Sequence, residues 1–303
     1  MERLARREAP AVVITGVSTG IGNGTLHELI GAGYHVFGSV RKREDADRLS
    51  AELGNAYTPL IFDVTDPAAV ARAAEVMRKA LGSRKLDGLV NNAGVAVPGP
   101  LLELPISEFR RQIEVNLVSV LSVTQAFFPL LRKASDDGGR PARIVNISSV
   151  AGQFALPFLG PYEASKHGVE GLSDSLRREC MLYGVEVVVI DPGSVATPIW
   201  NKAEELDLSV YAHSPYREPL KRMKDSMVSS GRRGLPPERI GQLVVDVLGA
   251  KKPRARYMIG SQRVMVWMSR HLLSTRGVDR LIAKNLGLLA PRRPGQAALS
   301  EGG

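Results

Sequence analysis

Seven short runs rich in valine and isoleucine recur along the chain, and amphipathic segments separate them. The runs are AVVIT (11–15), HVFGSV (35–40), YTPLIF (57–62), LDGLVNN (86–92), RIVNIS (143–148), VEVVVI (185–190) and RYMIG (256–260). Most of them are continuously apolar, which is typical of parallel strands buried on both faces of a sheet. Because parallel neighbours are joined by helical crossovers, the alternation predicts an α/β fold with a doubly wound sheet flanked by helices.

A length of 303 residues is enough for one large domain with a substantial core. We predict a single domain over residues 1–290. The proline-containing stretch from about 197 to 237 breaks the alternation and predicts an irregular substrate loop. A C-terminal extension covers about 261–290, and the composition of 291–303 predicts a disordered tail.

The composition excludes several classes of protein. The single cysteine, Cys180, cannot form an internal disulfide, which fits a cytoplasmic location. The charged N-terminus lacks the apolar core of a signal peptide, and the apolar runs fall short of the roughly 20 residues of a spanning helix, so we expect no transmembrane segment. No histidine has the spacing of a zinc motif, so we expect no metal site.

The net charge of +9 is compatible with three kinds of binding partner: nucleic acid, anionic lipid or a phosphorylated ligand. Aromatic residues make up only 5% of the chain and no nucleic-acid-binding motif occurs, so we expect no nucleic-acid partner. The basic, amphipathic stretch after the last strand leaves contact with an anionic membrane surface open.

A glycine-rich loop, VVITGVSTGIGNG, follows the first strand and opens a helix. Gly16, Gly20 and Gly22 would let the backbone approach a pyrophosphate, which the free N–H groups at a helix N-terminus bind. The spacing is Gly-x-x-x-Gly-x-Gly, which differs from the standard dinucleotide fingerprint.

Polar or turn residues follow three later strands, at Asn92, Ser149 and Pro192. The carboxyl ends of parallel strands share one edge of the sheet, where open α/β sheets bind their ligands. Tyr162 and Lys166 lie four positions apart and so share one helix face. A tyrosine pKa is about 10, and a neighbouring cation lowers it, so this pair predicts proton transfer. Taken alone, the same pair is typical of a solvated helix face.

In combination, these motifs resemble the short-chain dehydrogenase/reductase family. The matching segments are TGVSTGIG (15–22), NNAG (91–94), EVNLVSV with Asn116, ISS (147–149), YEASK (162–166) and DPGSVATP (191–198). Their order and spacing match over about residues 12–197. The resemblance implies a Rossmann-like fold with seven parallel strands in the order 3-2-1-4-5-6-7, and the interconversion of an alcohol and its carbonyl compound.

The resemblance also implies roles for particular residues. Tyr162 would be the catalytic acid and base, and Lys166 would lower its pKa and bind the nicotinamide ribose. Ser149 would hold the substrate oxygen, and Asn116 would support a water-linked proton path to Lys166. The residues implied to bind the cofactor are Gly16, Ser18, Thr19, Gly20, Ile21, Gly22, Arg41, Asp63, Val64, Asn92, Ala93, Gly94, Tyr162, Lys166, Pro192, Gly193, Val195 and Thr197.

The end of the second strand favours NADP over NAD. An acidic residue there would bond the ribose 2′-hydroxyl of NAD, whereas a basic residue accommodates the 2′-phosphate of NADP. Val40 occupies the acidic position, and Arg41 follows it. NAD remains the alternative, because Glu44 or Asp45 is close enough along the chain to reach back.

Apolar residues after Thr197, among them Trp200 and Tyr211, predict a hydrophobic ligand. The segment after the last strand resembles the extensions of family members that act on steroids, retinoids and fatty alcohols, which implies a lipophilic alcohol or ketone as substrate. We expect a homo-oligomer, a dimer or a tetramer. Two other functions remain open at this stage. One is a catalytically idle NADP-binding regulator, and the other is a peripheral membrane protein that uses the basic C-terminal segment.

Overall fold

The computed structural model describes residues 9–133, 140–262, 268 and 272–289. The predicted tail, 291–303, and part of the predicted extension lie outside these residues. The strands are β1 (Ala11–Ile14), β2 (His35–Val40), β3 (Tyr57–Ile61), β4 (Gly88–Asn91), β5 (Arg143–Ile147), β6 (Glu186–Pro192) and β7 (Arg256–Ile259). The helices are α1 (Gly20–Gly31), α2 (Arg43–Leu53), α3 (Pro67–Leu81), α4 (Ile106–Ile113), α5 (Ser119–Phe127), α6 (Gly160–Glu179), α7 (Ile199–Glu204), α8 (Arg217–Arg232), α9 (Pro237–Gly249) and α10 (Thr275–Leu286).

The seven strands form one sheet in the order β3-β2-β1-β4-β5-β6-β7, and every neighbouring pair is parallel. This confirms the predicted topology. The chain reverses its direction of winding between β1 and β4, and that switch point is where such sheets bind ligands.

The core consists of two layers, one on each face of the sheet. Successive residues of a strand point to opposite faces. Val12 and Ile14 therefore pack with α1, α2 and α9, whereas Ala11 and Val13 pack with α3 and α5. All four side chains are fully buried, which explains why β1 is continuously apolar in the sequence.

The region that we predicted as an irregular substrate loop, 197–237, contains the helices α7 and α8, so the prediction of irregularity is wrong. Pro219 lies in the first turn of α8, and Pro237 is the first residue of α9. The first N–H groups of a helix donate no hydrogen bond within the helix, so proline, which lacks the N–H, is tolerated there. These prolines mark helix starts and not a loop.

The expectation that no run reaches the length of a spanning helix is also wrong. Helix α4 continues through a π-helical turn at Glu114–Val118 into α5. Among the residues that the structure describes, the resulting run, Ile106–Leu130, is long and apolar enough to cross a membrane by length and composition. In the fold, this run packs against α3, α6 and β4.

Candidate active site

The glycine loop between β1 and α1 has a backbone that only glycine accommodates easily. Gly16 and Gly20 have φ angles of +72° and +63°. A Cβ atom on Gly22 would lie 2.5 Å from the side-chain nitrogen of Asn92 and closer still to the carbonyl oxygen of Gly16. Thr19 precedes α1 in an extended conformation, and its side chain makes no capping hydrogen bond. The first turn of α1 thus presents N–H groups to an anion, and the loop fits a pyrophosphate.

Hydrogen bonds from neighbouring strands hold this loop in place. The Thr15 hydroxyl accepts from the backbone N–H groups of Asn92 and Ala93, both at 3.0 Å. The Asn92 side chain donates to the carbonyl oxygens of Thr15 (2.9 Å) and Gly16 (3.1 Å). The N–H of Gly16 donates to the Ser39 hydroxyl at 3.0 Å. The sequence analysis assigned no role to the hydroxyls of Thr15 and Ser39, although their position at strand ends was a signal that could have indicated one.

The carboxyl ends of β2 and β3 place Arg41 beside Asp63. The Asp63 carboxylate accepts from the backbone N–H and the hydroxyl of Thr65 at 2.9 and 2.7 Å. Burial raises the pKa of Asp63, but the Thr65 hydrogen bonds and the charge of Arg41 outweigh it and hold the pKa below its usual range. Val64 is buried next to them. The three residues therefore share the edge at which the adenosine end of a dinucleotide was predicted.

Ser149, Tyr162 and Lys166 meet at the same edge, further along the sheet. Ser149 follows β5, and its hydroxyl hydrogen-bonds the Tyr162 side chain and also accepts from the N–H of Ala151 at 3.1 Å. Lys166 lies one turn after Tyr162 on α6. Its Nζ atom lies 5.7 Å from the centroid of the Tyr162 ring and donates to the carbonyl oxygen of Ile147 at 2.9 Å.

The pKa of Tyr162 differs in direction from our expectation. Burial raises it, the hydrogen bond with Ser149 lowers it, and the charge of Glu163 raises it, with a net increase. Burial also lowers the pKa of Lys166 to about 8, although Asp191 and Glu170 oppose that effect. The expected lowering of the Tyr162 pKa by Lys166 is thus not seen, because burial of the phenol dominates. A raised pKa favours the neutral phenol, the form that can donate a proton.

Asn116 lies in the π-helical turn between α4 and α5, and it is buried. Its side chain accepts from the N–H of Val95 at 2.9 Å and donates to the carbonyl oxygen of Val95 at 3.0 Å. It also donates to the Ser165 hydroxyl at 3.1 Å, and Ser165 donates to the carbonyl oxygen of Tyr162. Asn116 therefore ties the loop after β4 to the helix that carries Tyr162. Periodicity did not predict the π turn, which is the local change that accommodates this residue.

The loop after β6 closes the site beside the glycine loop. The N–H of Gly193, which follows Pro192, donates to the carbonyl oxygen of Ile259 at 2.8 Å, and Val195 pairs with Leu235. The Thr197 side chain lies against Gly20, where an added Cβ would be 3.4 Å away. The predicted cofactor residues after β1, β4 and β6 thus surround the start of α1.

An apolar cluster lies beside the start of α6, the helix that carries Tyr162 and Lys166. It is formed by Phe158 and Leu159, just before α6, and by Leu220 and Met223 of α8. The predicted substrate-side residues that join it are Leu206, Leu208 and Tyr211. Trp200 instead donates its ring N–H to the carbonyl oxygen of Val195 at 2.6 Å. In the described part of the chain, no group of three or more histidine, cysteine, aspartate or glutamate side chains is placed to hold a metal ion.

Comparisons with known proteins identify the family and the fold of the chain. The family model described as short chain dehydrogenase matches residues 10–207. The chain is 40% identical over 274 residues to an NADPH-dependent 3-dehydrocapnine reductase of Ornithobacterium rhinotracheale, covering 90% of this chain and 96% of that relative. It is 32% identical over 287 residues to retinol dehydrogenase 7 of Rattus norvegicus, covering 89% of this chain and 87% of the relative. A solved short-chain dehydrogenase from Streptomyces avermitilis matches with a TM-score of 0.72 at 23% identity, over 94% of this chain and 100% of that chain, which shows a shared fold.

Proposed function

Because the chain belongs to the short-chain dehydrogenase family, we propose that it is an NADP-dependent oxidoreductase that interconverts a lipophilic alcohol and its carbonyl compound. The observation that carries the proposal is the meeting of Ser149, Tyr162 and Lys166 at the edge of the sheet where the glycine loop opens. The bound nicotinamide would supply or accept the hydride. The chain itself must bind both molecules, orient them and move one proton.

Tyr162 is the group that moves the proton. Its raised pKa keeps the phenol protonated near neutral pH, so its O–H can donate to the oxygen of a carbonyl substrate during reduction. In the reverse direction, the same oxygen accepts the proton of the alcohol. The hydroxyl of Ser149, already bonded to Tyr162, can donate to the same substrate oxygen and stabilise the charge that develops there. Lys166 places a buried cation one helical turn away, and this cation favours the phenolate that is left after proton donation.

Two observations support NADP as the cofactor. Arg41 follows β2 with no acidic residue at the strand end, and its charge is close enough to Asp63 to affect the pKa of that carboxyl. The relative at 40% identity is named as NADPH-dependent. The cradle around Gly22 fits a pyrophosphate, which NADP and NAD share, so Arg41 is the discriminating group.

A lipophilic substrate is supported by the apolar cluster beside Tyr162. Phe158, Leu159 and Met223 are buried there, and Leu286 at the end of α10 packs against them. Relatives named for 3-dehydrocapnine and for retinol span nearly the whole chain. One relative is named as a reductase and the other as a dehydrogenase. These names describe the two directions of the proposed reaction, so both fit the same reaction class.

Contact with a membrane surface is a second property that a specific observation favours. Leu272, Leu273, Leu281 and Leu289, within and beside α10, are exposed. Arg276, Arg280 and Lys284 lie on the same helix. Apolar side chains flanked by cations suit the interface of an anionic membrane. Co-sedimentation with vesicles of anionic phospholipid tests this property, and no binding at low ionic strength would exclude it.

The substitution Tyr162→Phe tests the proposed reaction. It removes only the phenolic oxygen, so we expect turnover to fall at least about 100-fold, the usual lower bound for a general acid, while NADPH binding stays near that of the unmodified protein. Turnover is followed by the absorbance of reduced nicotinamide with a panel of lipophilic alcohols and ketones.

Tyr183→Phe is the matched control, because it removes the same oxygen from a half-exposed tyrosine beyond the end of α6. It should leave turnover unchanged. If Tyr162→Phe kept full activity, Tyr162 would not be the proton donor. If the unmodified protein bound NADPH but turned over no alcohol or ketone in the panel, the regulatory alternative would replace the enzymatic one.

A further inference from the structure

Two carboxyl groups are buried together behind Lys166. Asp191 lies near the end of β6 and is fully buried, and Glu170 lies on α6, one turn after Lys166. Burying one ionised carboxyl is unfavourable, and burying two in contact is more so, unless each charge is matched by a partner or removed by a proton.

Each carboxyl has one oxygen with a partner and one without. Asp191 Oδ2 accepts from the Gln153 side chain at 2.8 Å and lies 3.6 Å from Arg256 Nε. Glu170 Oε2 accepts from Arg256 Nε at 2.8 Å, and Arg256 Nη2 lies 2.5 Å away. The remaining oxygens, Asp191 Oδ1 and Glu170 Oε1, are buried and have no hydrogen-bond partner among the described residues.

A single proton accounts for both of these oxygens. If one carboxyl is protonated, its O–H donates to the other, and no buried oxygen stays unsatisfied. Both carboxyls lie against the Arg256 guanidinium. Burial of Asp191, followed by a side-chain hydrogen bond with Glu170 and by the charge of Glu170, raises the pKa of Asp191 well above its usual range. Arg256 and Gln153 oppose the rise and do not cancel it.

The pair also acts on Lys166. Burial lowers the pKa of Lys166 to about 8, and Asp191 and then Glu170 are the charges that raise it. The other charged groups around the pair are Arg256 on β7 and Asp174 on α6, which lies 3.8 Å from Arg256. A pair with one proton carries one negative charge, which partly offsets the effect of burial on Lys166.

We propose that Asp191 and Glu170 share one proton and act as the positioning pair that keeps Lys166 charged behind Tyr162. The link to Tyr162 rests on the proposed function, whereas the shared proton does not. The pair acts through Lys166, whose pKa both carboxyls raise.

Infrared spectroscopy tests the shared proton without any turnover. The carbonyl stretch of a protonated carboxylic acid should be present at neutral pH and should disappear in both Asp191→Asn and Glu170→Gln. In each of these variants the new amide donates the hydrogen bond that the proton made, so the remaining carboxyl ionises. The spectra are recorded in a Glu163→Gln background, because burial raises the pKa of Glu163 to about 7 and this group also holds a proton near neutrality. Absence of the band before either substitution would overturn the shared proton.

The pH dependence of kcat/KM tests the effect on Lys166. Each single variant keeps one negative charge. The alkaline limb of its kcat/KM profile should therefore stay within about half a pH unit of the alkaline limb of the parent protein. The double variant Asp191→Asn/Glu170→Gln loses the charge, so Lys166 should lose its proton at lower pH. Its alkaline limb should move down by at least about one unit, which is a tenfold loss at a fixed pH on that limb.

Asp174→Asn is the matched control for the charge effect. It removes a carboxylate from the same helix, close to the same arginine, but this carboxylate is half-exposed and screened by water. We expect no movement of the limb. A double variant whose limb coincides with the parent limb would refute the link to Lys166. If no substrate is turned over at all, the proposed function fails, while the infrared band still decides whether the proton is shared.

Discussion

The close approach at Gly22 leads to a prediction that separates cofactor binding from general stability. In Gly22→Ala the new methyl group would lie 2.5 Å from the Asn92 nitrogen and nearer to the Gly16 oxygen, whereas real Cβ atoms essentially never approach within 3.0 Å. The glycine loop or the Asn92 side chain must therefore move. Asn92 makes two hydrogen bonds to this loop, and both depend on the present position.

The size of the effect follows from these contacts. Overpacking a tight site costs about 1–3 kcal/mol, and each lost hydrogen bond costs about 1 kcal/mol. Alanine regains about 1 kcal/mol through its higher helix propensity. We expect a net loss of about 2–4 kcal/mol in the free energy of unfolding, and a fall in Tm of roughly 3–6 °C. NADPH affinity should fall at least about tenfold, because a displaced loop that loses about 1.4 kcal/mol of binding free energy changes Kd by that factor.

Gly31→Ala is the matched control, because Gly31 ends the same helix, is exposed and has no atom within 4 Å of an added Cβ. It should leave NADPH binding unchanged and keep or slightly raise Tm. Thermal unfolding gives Tm, and NADPH fluorescence titration gives Kd. If Gly22→Ala had the Tm and the Kd of the parent protein, the loop would not be as tightly packed as described. A lower Tm with an unchanged Kd would show that the cofactor does not use this loop.

Three further predictions concern charges. Arg41→Asp should shift the preference from NADP towards NAD, measured as the ratio of kcat/KM with the two cofactors; an unchanged ratio would remove Arg41 from the 2′-phosphate site. Glu163 is buried and accepts from the N–H of Leu156, and burial raises its pKa to about 7. The stability that it contributes at acid pH is therefore lost as the pH rises from about 4.5 to 7. Glu163→Gln should therefore match the parent protein at pH 4.5 and exceed it by roughly 2–3 kcal/mol at pH 8, and equal stability at both pH values in urea titrations would contradict this. Arg143 is buried and donates to three carbonyl oxygens at the end of α9 and to Glu186. Arg143→Met should therefore lower the free energy of unfolding by about 3–5 kcal/mol in the same titrations. A loss below about 1 kcal/mol would contradict the described bonding.

The strands of this fold were predictable to within about two residues, and the reason is visible in β1. Both faces of this strand are covered, so all four of its residues are buried and the strand is continuously apolar in the sequence. The prolines at the starts of α8 and α9 misled the prediction for 197–237. Proline at a helix start and proline in a loop give the same local pattern, and only the following turns distinguish them.

The members of the candidate site were also predictable, but their partners were not. The spacing of Tyr162 and Lys166 places them on one helix face whatever the tertiary structure is. The contact of Asn116 with Val95 requires the π turn, and the tether from Thr15 to Asn92 joins two strands that are far apart in the sequence. No periodicity of the chain encodes such pairs.

By itself, the sequence determined the alternation of strands and helices, the glycine loop and the residues that reach the carboxyl edge of the sheet. Each of these depends on neighbours within a turn or a strand, where spacing sets geometry. Only the tertiary structure decided the protonation of the site. The pKa of Tyr162 is raised, and so is that of Asp191 beside Glu170, because burial and charge depend on groups that come together from distant strands and helices.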